Sequence, residues 1–152
     1  MTEYVDDGLL DQYSKPRETI ETKLSIIFLL NPRDSKKGRL FMPVYDERFL
    51  WKFQTKYAYI SKFLEEGNTS GNHYHKVKEE ILIPLQGRFE ICLEDIKTKE
   101  QETICVESGE NKAIYIGIDI AHKIKSKDEK GILLVLASNH SSSKDEIDYS
   151  IQ

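Results

Sequence analysis

From Lys23 onward, short segments rich in Ile, Val, Leu, Tyr and Phe are separated by clusters of Gly, Asn, Pro and charged residues. The clusters recur at intervals of about 8–12 residues, which predicts an all-β chain. Strands are expected over 24–30, 39–44, 56–63, 72–75, 79–85, 88–96, 102–106, 112–116, 122–126 and 131–138. In the sixth of these, Phe89, Ile91 and Leu93 alternate with Arg88, Glu90 and Glu94, and a period of two turns one face to a core and the other to water. Cys92 is the exception. The stretch Ile81-Leu-Ile-Pro-Leu85 is apolar on both parities, as a strand covered on both faces would be, and Pro84 lacks an N–H and predicts a bulge or an unpaired position. Gln86-Gly87 then turns the chain. Many short strands joined by tight turns must hide their edges, in a closed barrel or a double-sheet jelly roll, and a single jelly-roll domain is the expected fold.

The flanks read differently. Residues 1–22 are acidic and polar, with Pro16 and a weak Leu9-Leu10 pair, and predict an N-terminal arm or a strand lent to a partner subunit. The jelly roll is expected over 23–140. Ser141-Ser-Ser143 opens a polar C-terminal tail over 141–152.

Composition narrows the function. A chain of 152 residues with 39% hydrophobic and 32% charged positions suits one folded domain. With 22 Lys+Arg against 26 Asp+Glu the net charge is −4, so no surface-wide attraction favours a nucleic acid. The longest apolar run, Ile26-Ile-Phe-Leu-Leu30, is far short of the ~20 residues that span a bilayer, and the N-terminus has neither the basic nor the apolar region of a leader. No membrane partner and a cytoplasmic location are expected. Cys92 and Cys105 lack metal-site spacing and are expected to be reduced, buried small hydrophobes. Neither a Gly-x-Gly-x-x-Gly nor a Walker-type loop occurs, so no dinucleotide or other cofactor is expected.

The candidate chemistry lies in the histidines. His73 and His75, in a His-Tyr-His run, share one face of a strand with Tyr74 opposite, and His122 follows some fifty residues on. Continued alternation would place Glu79 beside the histidines and turn Glu80 away. His140 fits no pattern and is expected to be a solvated loop residue.

Gly67-x5-His73-x-His75-x4-Glu80-x6-Gly87, followed by Gly109, Tyr115-Ile-Gly117 and His122, resembles the two-part signature of the cupin superfamily. A closer resemblance covers roughly residues 33–150. Asp34-Ser-Lys-Lys-Gly38, Gly71-Asn-His-Tyr-His-Lys76, Glu79-Glu-Ile-Leu-Ile-Pro-Leu-Gln-Gly87, Tyr115-Ile-Gly-Ile-Asp-Ile-Ala-His122 and Val135-Leu-Ala-Ser-Asn139 are similar to segments of the dTDP-4-keto-6-deoxyhexose 3,4-ketoisomerases. Three departures stand out. Ser70 replaces the usual Arg before Gly-x-His, Lys37 stands for the Arg of Asp-x-Arg-Gly with one residue inserted, and Ala121 replaces Trp. Losing an Arg removes a bidentate anchor for a diphosphate.

That resemblance implies a dTDP-linked keto-deoxyhexose as partner, a homodimer, and histidine acid/base chemistry without a metal. Moving a carbonyl between neighbouring carbons needs a base, a donor for the enediolate oxygen and an acid, and imidazole, with an ordinary pKa of roughly 6.5, serves at neutral pH. His75 is implied as the proton shuttle and His73 as a second acid/base group. Tyr59, Lys37, Glu79, His122 and Tyr115 are implied as substrate-binding. Three alternatives stay open. His73, His75, His122 and Glu79 or Glu80 form a donor set for a metal enzyme; a 3,5-epimerase of the same sugars uses a similar fold; and a non-catalytic nucleotide-sugar module would need no chemistry.

Overall fold

The computed structural model describes residues 14–151. The Leu9-Leu10 pair lies outside them. β1 (Glu18–Glu21), β2 (Ile26–Leu29), β5 (Tyr57–Phe63), β7 (Glu80–Gln86), β10 (Lys112–Ile116) and β12 (Gly131–Ala137) form one sheet in the order β1-β2-β10-β7-β12-β5. β6 (Thr69–His75), β8 (Arg88–Asp95), β9 (Gln101–Glu107), β11 (Ile120–Ser126) and β13 (Glu146–Asp148) form the second, in the order β13-β6-β11-β8-β9. A separate hairpin pairs β3 (Arg33–Asp34) with β4 (Leu40–Phe41). The two antiparallel sheets face each other as the expected jelly roll.

Alternation decides what lies between the sheets. Leu82, Phe89, Ile91, Leu93, Ile114 and Leu133 point inward and form one buried cluster. Each contributes about 1.5–3 kcal/mol relative to an exposed side chain. Ile81 and Ile83, on the other parity of β7, pack under Phe28, Trp51 and Phe53 on the outer face of the six-stranded sheet. That cover explains why β7 reads as apolar on both parities. The expected irregularity at Pro84 is present, because the register of β7 with β12 shifts between Ile132 and Leu133, and Leu133 pairs with Pro84.

The structure departs from the expected elements in four places. Only Leu40 and Phe41 of the 39–44 strand pair with a neighbour; beyond them, Trp51 and Phe53 cover the outer sheet face. Asp46 turns this stretch by accepting from the backbone and guanidinium of Arg48. Within the expected N-terminal arm, Glu18–Glu21 is an edge strand of this same chain, with every side chain exposed and hence no alternation to read. The expected tail contributes β13, which pairs with β6, and Tyr149 donates its N–H to the carbonyl of Asn72 and its hydroxyl to Glu94. Cys105 is exposed, not buried, because Ile104 and Val106 take the inward parity of β9; Cys92 is partly buried, and both are free thiols.

β6 and β11 run so close at Gly71 that a Cβ there would lie 2.4 Å from the carbonyl oxygen of His122, and Gly71 has φ +92°. Only glycine meets both demands. The register of β6 against β11 slips beside this point, between His122 and Lys123, and sets His122 directly opposite His73. Gly71→Ala is therefore expected to cost roughly 2–4 kcal/mol and to move His73 and His122 apart; a thermal melt and the histidine ring resonances by NMR check it.

Candidate active site

The apolar filling of the barrel stops at one end, where polar side chains from both sheets meet. His73 and His75 come from β6, His122 from β11, and Glu80 and Tyr59 from β7 and β5 of the opposite sheet. The ring centroids of His73 and His75 are 4.8 Å apart, those of His73 and His122 4.7 Å, and those of His75 and His122 5.7 Å. Three imidazoles from two stretches of chain thus share one end of the barrel, as the spacing predicts.

Glu80, not Glu79, faces them. Its Oε1 lies 3.5 Å from Nε2 of both His75 and His122, and its Oε2 accepts the Tyr59 hydroxyl proton at 3.0 Å. Alternation fails here because residues 76–79 leave one sheet and β7 begins in the other. Glu79 instead accepts the hydroxyl of Tyr115, whose partner in β7 is Ile81, on the outer sheet face. Glu79 and Tyr115 thus lie outside the histidine cluster. Lys37 is also apart: it is exposed in the β3–β4 hairpin, in a cavity lined by Arg33, Asp34, Lys36, Arg39 and Phe41. His140 is exposed, as expected, with its ring against Tyr57.

The hydrogen bonds assign the proton positions. His75 Nδ1 meets the carbonyl oxygen of Asp145 at 3.2 Å, and His122 Nδ1 that of Ile120 at 3.4 Å. A carbonyl only accepts, so each Nδ1 carries the proton and each Nε2 presents a lone pair toward Glu80. His75 Nε2 is buried and has no hydrogen-bond partner among the described residues. Burial pushes the His75 pKa down, against the pull of Glu80. Burial, aided by His73, drives that of His122 down to about 3. Burial and then Glu80 push the Tyr59 hydroxyl up, so it stays a donor.

Sequence reading missed three contributors. Asp145 lies in the segment read as a tail, yet its carboxylate accepts the backbone N–H groups of Lys76, Val77 and Lys78 at 2.9, 2.9 and 3.0 Å. Burial alone would raise its pKa, but these three donors hold it below the ordinary carboxylate range. Glu146, next to it, lies 3.3 Å from His73 Nδ1. Lys78 is the third, and its Nζ is 3.9 Å from Glu80 Oε2. A single sequence carries no signal for Asp145, nor for the burial of Lys78 in a connection where strand alternation does not hold.

The arrangement offers two kinds of chemistry. Two neutral imidazoles whose Nε2 atoms carry free lone pairs can take and return protons. The ring nitrogens of His73, His75 and His122, within 4.8 Å of one another, together with Glu80 also suit a divalent metal.

Residues 22–150 match the family described as FdtA: WxcM-like, C-terminal. The chain belongs to this family. Among solved structures, this FdtA-family chain is similar to QdtA, a 3,4-ketoisomerase from Thermoanaerobacterium thermosaccharolyticum, in a histidine-to-asparagine variant in complex with TDP-4-keto-6-deoxyglucose. That match has 24% identity over 84% of this chain and 88% of that one, with a TM-score of 0.72. The WlaRB TDP-quinovose 3,4-ketoisomerase from Campylobacter jejuni matches at 26% identity over 83% and 93%, with a TM-score of 0.72. A dTDP-4-dehydrorhamnose 3,5-epimerase from Bacillus anthracis matches at 16% identity over 85% and 81%, with a TM-score of 0.73. A search of curated proteins found no match. No helix of the described residues is long and apolar enough to cross a membrane.

Two outcomes test this geometry. Asp145→Ala strands three N–H donors and is expected to lower stability by about 1–3 kcal/mol, read by urea denaturation, and to loosen His75. The His122 pKa near 3 in the fold is lower than its ordinary 6.5, so between those values the unfolded chain binds a proton that the folded chain does not. The stability His122 lends is full above pH 6.5 and is lost as pH falls toward 3, on the order of 2 kcal/mol at pH 5. Melting temperatures from pH 7.5 to 4.5 should fall less steeply in His122→Asn than in the parent.

Proposed function

We propose that this protein is a sugar-nucleotide isomerase that converts a dTDP-4-keto-6-deoxyhexose to its 3-keto isomer. The observation that carries this reading is the buried His75, with Nδ1–H bonded to a backbone carbonyl and Nε2 left as an unpartnered lone pair. Such a nitrogen is a base shielded from water. The family match and the fold shared with two ketoisomerases support the substrate class.

In this reading His75 Nε2 takes the proton from C3. The C–H electron pair becomes the C3=C4 bond, and the carbonyl π pair moves to O4. Return of a proton at C4, with passage of the O3 proton to O4, leaves the carbonyl at C3. His73, with 18% of its side chain exposed, is the most open of the three imidazoles and serves as the second acid/base group between the hydroxyl oxygens. Tyr59 donates to Glu80 and holds it in place, and the backbone carbonyl of Asp145 orients His75 through Nδ1–H. Tyr115, Glu79 and Lys37 take no part in the proton transfer; Lys37 contacts substrate only if a second subunit or a hairpin movement brings it to the pocket. A homodimer remains part of the proposal.

The donor set favours one second reading. His75, His122 and Glu80, with His73 beside them, would hold a divalent ion, which when bound would polarise the substrate carbonyl. Dialysis against a chelator separates the two: the proton-transfer reading predicts unchanged turnover, and the metal reading predicts its loss and recovery with added metal.

Incubation with dTDP-4-keto-6-deoxyglucose in D2O, followed by NMR, is expected to show a 3-keto product carrying deuterium at C4. His75→Asn should slow its formation by at least roughly a hundredfold. Deuterium at C3 and C5 with the ketone still at C4 would identify an epimerase instead, and tight dTDP binding with no exchange would identify a binding module.

A further inference from the structure

Lys78 sits in the connection between the two sheets, where Lys76 and Val77 on the same connection are exposed to solvent. Only 7% of its own side chain is exposed. Its Nζ lies 3.9 Å from Glu80 Oε2, the oxygen opposite the one that His75 and His122 face. Burying an ammonium costs several kcal/mol unless a partner compensates, and a fold rarely tolerates that cost without use.

This end of the barrel is crowded with acceptors: Nε2 of His75, Nε2 of His122 and both oxygens of Glu80. The Tyr59 proton is already committed to Glu80. Lys78 has three N–H donors and stands beyond ordinary hydrogen-bond distance from Glu80, so it retains donors for an incoming oxygen. Its backbone is held as well, since its own N–H and those of the two preceding residues all go to Asp145.

We propose that Lys78 is the oxyanion-holding residue of this site, donating to the sugar oxygen that gains charge when the C–H bond beside the ketone breaks. The assignment rests on the isomerase reading above. Lys78 transfers no proton: it hydrogen-bonds O4 while the C4 carbonyl π pair resides there, and releases it when O4 is protonated. A group that meets the transition state more strongly than the ground state acts on kcat and little on KM.

The test compares the parent with Lys78→Met and Lys78→Arg, using dTDP-4-keto-6-deoxyglucose in D2O and dTDP binding by calorimetry. Lys78→Met should lower kcat by roughly 100- to 1,000-fold, with KM and dTDP affinity within about threefold, and should slow deuterium entry at C3 in parallel. Lys78→Arg should recover at least about tenfold of the loss. Should Lys78→Met fail to fold by circular dichroism, Lys78→Gln carries the same expectation. A folded Met or Gln variant with kcat within threefold of the parent overturns the assignment. A raised KM with kcat unchanged also overturns it, by making Lys78 a ground-state anchor, as does a stoichiometric metal whose removal abolishes parental turnover. A parent protein that neither exchanges nor isomerises overturns the isomerase reading, and the assignment falls with it, an outcome distinct from an active parent with an indifferent Lys78 variant.

Discussion

A carboxylate buried as deeply as Glu80, 3% exposed, must find every partner within the fold. Its two oxygens organise the end of the barrel: one faces His75 and His122, and the other meets Tyr59 and Lys78. These partners come from both sheets and the connection between them. Remove the carboxylate and the imidazoles keep their backbone anchors but lose the group around which their Nε2 atoms converge.

The fold makes this convergence affordable in a physical sense by confining it. Large apolar side chains fill the middle of the barrel, and His75, His122, Glu80 and Lys78 are buried together at one end. There, backbone carbonyls fix the imidazole tautomers and backbone N–H groups fix Asp145. Gly71 supplies the close approach that brings His122 opposite His73. The placement of the histidine cluster follows from backbone geometry as much as from side-chain identity.

Much of this was legible from residues alone. The alternation in β8, the two-sided apolar run of β7 and its irregularity at Pro84, and the His-Tyr-His spacing all express local periodicity, which one sequence displays directly. The orientation of Glu80 was not legible, because strand parity does not survive a connection that crosses from one sheet to the other. Asp145 and Glu146 were hidden for a different reason: β13 exposes Glu146 and Asp148, so nothing apolar marks it as a strand. Lys78 was passed over because a lysine in a charged run ordinarily faces water, and only the fold reveals its burial.

The account stands on the protonation of the buried imidazoles, and 15N NMR of histidine-labelled protein reads it directly. With His73, His75, His122 and His140 the whole complement, each ring can be assigned by single substitution. The account predicts that His75 and His122 are neutral Nδ1–H tautomers at pH 7, and that His122 remains so at pH 5. A His122 ring that titrates near its ordinary 6.5, or Nε2–H tautomers at His75 and His122, would contradict it.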